Sequence, residues 1–327
     1  MRLLILGGTA FLGRAVARAA LAAGHDVTCA ARGLSGDPVA GTRFVRVGRD
    51  DPAGLADLTG EFDAMVDLTR RPDHVRHAVR ALADRVDHVT FVSTVSVYSD
   101  TATSGQRADT AAVLPPASAN AEDPARGADG YGRCKVSCER LYLDGFGAEH
   151  VFICRAGLIV GPEDPSGRFA YWVRRAARGG EVLVPGTPDD PVQFVDVRDL
   201  AEWIVDSAGR RTGVFDGVAA PISRRDFLAG VFAADAEFCY VSQDFLLAHE
   251  VAPWSGPRSL PLWVPVPEYA GFMNRDVRPA LAAGLRTRPL AETARDTAAW
   301  LAAGGAGNEV GLTEAEEADL LERWRAR

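Results

Sequence analysis

Tyr131 and Lys135 stand four residues apart in the stretch YGRCKVSCERLY. In a helix this spacing puts both side chains on one face, where an ammonium can stabilise a phenolate and lower the phenol's pKa. A tyrosine tuned in this way passes a proton to or from a substrate oxygen while a hydride moves at the adjacent carbon. The chain opens with MRLLILGGTAFLG, an apolar strand running into a turn that carries Gly7, Gly8 and Gly13. Such a turn lets a dinucleotide pyrophosphate lie on backbone N–H groups at a helix N-terminus. Ala10 occupies the place of the middle glycine in a GxxGxxG pattern, and a methyl group is the smallest replacement. Each pattern alone serves structure equally well, because amphipathic helices carry Tyr and Lys for packing and tight turns need glycine. Together they suggest a nicotinamide enzyme.

The elements that must position these residues alternate between strand and helix. RLLILGG reads as a strand and FLGRAVARAALAAG as a helix closed by Gly24. HDVTCAAR, TRFVRVG and FDAMVDLT supply the next three strands, with a short helix expected around Pro52 to Leu58. Helix HVRHAVRALADRV and strand HVTFVSTVSVYS continue the alternation. This order predicts an α/β fold, a doubly wound parallel sheet of the Rossmann type covered on both faces. From Asp100 to Gly130 the chain turns to Ser, Thr, Ala, Asp and Pro, the texture of a long surface loop: a lid, a binding segment or a disordered insertion. Strand HVFICRAGLIVG, a helix through Phe169 to Ala177, and a strand and helix in PVQFVDVRDLAEWIVDSA follow the Tyr131 helix. We expect residues 1–160 to form mainly the dinucleotide-binding domain. Residues 161–327 then form mainly a smaller C-terminal substrate lobe, with residues near 190–215 returning to the sheet.

Composition narrows the classes. A chain of 327 residues, 47% hydrophobic and 24% charged, buries a sizeable core. Its net charge of -8 argues against general affinity for nucleic acid. No apolar run reaches the length of a membrane span, and RLLILGG is too short for a signal peptide, so the expected location is the cytoplasm. Cys29, Cys134, Cys138, Cys154 and Cys239 are odd in number and scattered, which fits reduced thiols. Cys134 and Cys138 share a helical face, but no nearby Cys or His completes a zinc site, so no metal is expected.

The end of the second strand bears on cofactor choice. NAD-binding turns usually offer an Asp or Glu there to the ribose hydroxyls, whereas this chain has Ala30, Ala31 and Arg32. No carboxylate would repel a 2′-phosphate, and Arg32 could pair with one, which favours NADP. Arg32 as a solvated loop residue leaves NAD open. The expected cofactor contacts are Gly7, Thr9, Ala10, Phe11, Leu12, Gly13, Arg32, Leu68 and Lys135.

GGTAFLG at the start, STVSVYS ending the fifth strand, YGRCK and then RAGLIVGP resemble, in order and spacing, the short-chain dehydrogenase/reductase superfamily. The resemblance is to its extended and atypical branches, the NAD-dependent epimerase/dehydratase group, and runs from Met1 to about residue 300. It implies that Thr94 steadies the reacting oxygen, that Tyr131 is the general acid/base, and that Lys135 also holds the nicotinamide ribose. It also allows a homodimer through the helices near His74 to Arg85 and Tyr131 to Phe146.

Departures from the family narrow the chemistry. Sugar-nucleotide dehydratases of this superfamily carry an Asp-Glu pair after the Thr, where this chain has Val95 and Ser96. Leu158 and Val192 stand where sugar-nucleotide epimerases usually have an Asn and an Arg, which puts a diphosphate-bearing substrate in doubt. The expected pocket residues are Val95, Ser96, Arg168, Tyr171, Trp172 and Gln193. RFAYWVRR equally describes an amphipathic helix with a core-facing aromatic side. The leading expectation is hydride transfer at a secondary alcohol or ketone of a polar small molecule. Epimerisation through a transient ketone is the alternative, and a non-catalytic dinucleotide-binding regulator or RNA-associated protein is the reading from another class.

Overall fold

The computed structural model describes residues 1–118, 127 and 129–327. Its centre is a seven-stranded sheet built from β1 (Arg2–Leu6), β2 (Asp26–Ala31), β3 (Arg43–Arg46), β4 (Ala64–Asp67), β5 (Val89–Thr94), β6 (Val151–Ala156) and β7 (Gly213–Gly217). The spatial order is β7-β6-β5-β4-β1-β2-β3, every pairing is parallel, and the order reverses about β1. The apolar runs of β1, β4 and β6 follow from burial on both faces.

Helices α1 (Phe11–Ala22), α2 (Pro72–Leu82), α3 (Gly130–Phe146), α4 (Arg168–Arg178) and α5 (Val197–Ser207) are interspersed with these strands along the chain. Side chains of α1 and α5 share one apolar cluster with β1, β2 and β6. Side chains of α2 and α3 join another on the opposite face, centred on Leu4, Met65, Phe91 and Tyr142. A third cluster lies outside the sheet and gathers Phe169, Trp172, Phe227, Leu246 and Trp263. Further helices include α6 (Arg224–Val231), α7 (Gln243–Ala248), α8 (Arg278–Ala282), α9 (Leu290–Ala302) and α10 (Glu314–Arg325).

Local details depart from the sequence expectation. Residues 52–57 form turns rather than a helix, since Pro52 and Gly54 interrupt a segment too short to nucleate one. The fifth strand stops at Thr94, where the Thr94 hydroxyl accepts the Ser96 N–H at 3.1 Å and turns the chain into a short 3-10 segment, Val95–Val97. Residues 191–192 and 195–196 stay outside the central sheet, pairing with Ile222–Ser223 and Ile159–Val160. The chain rejoins the sheet at β7, beside β6. The expected 100–130 loop is described only in part. Its first stretch is tied down by Gly105 N–H to Asn274 O at 2.7 Å and Gly271 N–H to Thr101 O at 2.9 Å.

Candidate active site

A cavity of about 420 Å³ opens where the strand order reverses, at the C-terminal ends of the sheet strands. Its floor is the turn between β1 and α1. Gly7 adopts φ +107°, which L side chains rarely reach. Gly13 lies so close beneath it that a Cβ there would sit 2.1 Å from Gly7 O. A Cβ on Gly8 would meet Cys29 Sγ at 2.5 Å. Helix α1 follows Ala10, which offers no side-chain cap, and has no acidic residue in its first turn. Its leading N–H groups therefore face the cavity with their positive end uncompensated. That combination fits a dinucleotide pyrophosphate, and Gly7, Thr9, Ala10, Phe11, Leu12, Gly13 and Leu68 all line the cavity.

On one side of the turn, β2 delivers Arg32 to the cavity wall. The side chain is exposed and makes no hydrogen bond or ion pair with any described residue. On the other side stand Thr94 from the end of β5 and Tyr131 and Lys135 from α3, all lining the same cavity. Gly132 makes this approach possible: a Cβ on it would be 2.1 Å from Ser96 O, so only glycine lets the first turn of α3 settle on the chain leaving β5.

The electrostatics differ from the simple picture of an ammonium tuning a phenol. Lys135 is buried, and its Nζ donates to Thr69 O at 2.7 Å and Val92 O at 2.5 Å while facing the Phe91 ring at 4.7 Å. Burial pulls its pKa down to about 8, against the opposing pull of Cys138, Asp67 and Glu139. Tyr131 remains 39% exposed, yet partial desolvation holds its phenol above the ordinary value; a hydrogen bond with Thr94 and the charge of Arg70 act the other way. The Lys135 ammonium is turned to two backbone carbonyls rather than hydrogen-bonded to the phenol. The Thr94 hydroxyl itself donates to Ser96 Oγ at 3.2 Å.

A buried polar layer supports this end of the cavity. Glu139 accepts from Arg155 at 3.1 and 2.8 Å and from Ser93 at 2.5 Å. Tyr98 donates to Asp216 at 2.6 Å, and Arg275 donates to the same carboxylate at 3.0 Å while stacking on the Tyr98 ring at 3.5 Å.

The residues expected to meet substrate do not gather at this cavity. Val95 is buried and Ser96 half-buried beside Thr94. Tyr171 and Trp172 lie in the apolar cluster outside the sheet, with Trp172 Nε1 donating to Pro261 O at 2.9 Å. Gln193 is 2% exposed, and its amide gives to Ala219 O and Arg275 O and accepts Arg275 N–H at 2.9 Å. Arg168 stacks on Trp254 at 4.5 Å and donates through Nε to Ser166 Oγ at 3.2 Å. Sequence reasoning missed Arg49, Thr69, His74, Ala156, Gly157 and Ile159, all on the cavity wall. Ala156, Gly157 and Ile159 lie in RAGLIVGP, the stretch that carried the family resemblance, while Thr69 and His74 lie in stretches read only as strand and helix, and Arg49 falls between the quoted stretches. Among the described residues no helix is long and apolar enough to cross a membrane.

The model of the NAD dependent epimerase/dehydratase family matches residues 3–210. No curated protein sequence matches the chain. Among solved structures, UDP-glucose 4-epimerase of Thermotoga maritima, with UDP-glucose, aligns at TM-score 0.67 and 18% identity, covering 93% of this chain and 99% of its own. UDP-glucose 4-epimerase of Thermus thermophilus, complexed with NAD, aligns at 0.61 and 18%, covering 91% and 99%. UDP-N-acetylglucosamine 4-epimerase of Bacillus cereus aligns at 0.63 and 14%, covering 93% and 100%. At these identities the likeness is one of fold.

Proposed function

Since the chain belongs to the NAD dependent epimerase/dehydratase family and is thus an enzyme, we propose that it is an NAD(P)-dependent oxidoreductase acting on a secondary alcohol or ketone of a polar metabolite. The observation that carries this reading is convergence: the glycine turn and the side chains of Thr94, Tyr131 and Lys135 line one cavity. The turn and the first N–H groups of α1 hold the pyrophosphate, and Lys135 anchors the reacting half of the cofactor. When bound, the nicotinamide supplies or accepts the hydride. Tyr131 gives its proton to the carbonyl oxygen in reduction and takes it back in oxidation, with the Thr94 hydroxyl orienting that oxygen. A phenol held above its ordinary pKa is protonated at neutral pH, the form that can donate to a carbonyl oxygen. Exposed Arg32, which feels the Asp50 carboxylate but makes no hydrogen bond with any described residue, supports NADP over NAD, since its guanidinium could turn to a 2′-phosphate.

Epimerisation is the second reading, favoured by the family and by the UDP-sugar epimerases that share the fold. Leu158 and Val192, both buried in the apolar cluster outside the sheet, give a sugar nucleotide's diphosphate no polar partner of their own. Net consumption of added NADPH with a candidate ketone identifies the reductase. Isomer formation with no net change in the reduced-nicotinamide absorbance identifies the epimerase. Tyr131→Phe is the test of mechanism: turnover should fall on the order of a hundredfold or more with cofactor affinity nearly intact. Turnover at the wild-type level would remove Tyr131 from the chemistry.

A further inference from the structure

Arg49 leaves the end of β3 and folds back over the sheet toward β4. Its Nη1 donates to Asp67 Oδ1 at 2.7 Å, and its Nη2 donates to Asp67 Oδ2 at 2.6 Å and to His74 O at 2.9 Å. The carboxylate is itself fixed, since Asp67 accepts the Tyr142 hydroxyl and, at 2.9 Å, the Thr69 N–H. The guanidinium plane is therefore immobilised before any ligand arrives. Arg49 is 8% exposed, and it lines the cavity beside Ala30, Val47 and His74. Its Nε has no hydrogen-bond partner among the described residues. This wall lies on the β2–β3 side of the glycine turn, away from Thr94, Tyr131 and Lys135 on the β5 side. A dinucleotide with its pyrophosphate on the turn and its reacting half beside Tyr131 must lay its other half here.

With its charge largely neutralised by Asp67, Arg49 has little left for an anion and chiefly offers a rigid flat face. Guanidinium planes stack on aromatic faces, and a purine is such a face. We infer that Arg49 is the base platform of this cavity, a clamped plane on which the adenine of the cofactor stacks, with Asp67 as the residue that positions it. The inference rests on reading the cavity as a dinucleotide site. It assigns a binding role to the plane rather than to the charge, so lysine cannot replace Arg49.

Calorimetric titration of the full chain with ADP-ribose and with nicotinamide mononucleotide, separately, tests this. Arg49→Lys keeps a cation for Asp67 and loses the plane. The double variant R49M/D67N removes both charges together, so that no buried carboxylate is left unpaired. Both variants should bind ADP-ribose on the order of tenfold more weakly and nicotinamide mononucleotide as the wild type does. Full ADP-ribose affinity in R49K overturns the platform. Equal loss for both ligands in both variants also overturns it, marking Arg49 as purely structural. A wild-type protein that binds neither ligand refutes the reading of the cavity itself, and the platform with it.

Discussion

Replacing Lys135 by Met keeps the stem of a side chain that is only 3% exposed and removes its ammonium, so the two proteins differ chiefly in a buried charge. In an unfolded chain the lysine titrates near its ordinary 10.5, and in the folded protein at about 8, chiefly because burial opposes the charge. The gap between 10.5 and 8 is about 2.5, and at about 1.4 kcal/mol for each pH unit it amounts to roughly 3 kcal/mol. The sign follows from which state holds the proton. Between about pH 8 and 10.5 the unfolded chain keeps a proton that the folded protein has released, so stability rises with pH across that window. Below about pH 8 both states are protonated and the full cost of burying the charge is in force. Wild type should therefore gain on K135M by up to about 3 kcal/mol as pH climbs, with most of the gain falling above pH 8. Guanidinium chloride denaturation of both proteins, compared at equal m from about pH 7 to about pH 10, reads this difference directly. Parallel stability curves for the two proteins, or a wild type that loses ground as pH rises, would refute the claim that Lys135 is a desolvated ammonium.

The glycine turn and Arg32 give sharper contrasts. Gly13→Ala drives a methyl into Gly7 O, a backbone atom that no rotamer change can move, and overpacking of this kind costs about 1–3 kcal/mol. Gly24→Ala meets nothing within 4 Å and suffers only from its φ of +76°, a cost of about 1–2 kcal/mol. The stability losses overlap, so dinucleotide titration decides: affinity should drop at least about tenfold in Gly13→Ala and hold in Gly24→Ala. Equal affinities in the two variants would mean that the turn is not the pyrophosphate cradle. Arg32→Ala should weaken NADP binding by about tenfold and leave NAD unchanged, measured by paired titrations. A matched loss for both cofactors would deny Arg32 any role in reading the 2′-phosphate.

The strand, the glycine turn and the helix from Arg2 to Ala22 were legible because every signal in them is local: an apolar run, a close approach that only glycine allows, then a 3.6-residue period. Lys135 was legible as a residue but not as a geometry, since the carbonyls of Thr69 and Val92 that capture its ammonium come from distant stretches of chain. Residues near 190–215 were expected to return to the sheet, but the strand that does so, β7, GVFDG, was not itself legible, for a related reason. It is five residues long, bounded by glycines, and becomes a strand only because β6 offers it an edge. Gln193 shows the limit most clearly. A polar residue inside an apolar strand reads as a group reaching for a ligand, because a buried amide without partners is costly. Here two carbonyls and one N–H, from residues 26 and 82 positions away, satisfy that amide and tie the 193 segment to the chain before α8. The same demand for partners drives both outcomes, and spacing along the chain does not say whether the partner is a substrate or another stretch of protein. Arg49 is the converse case: a charged residue in a loop looks solvated, yet Asp67 on β4, 18 residues later, draws it inside to the cavity wall. Residues whose role depends on a distant partner are thus where structure adds most to this site.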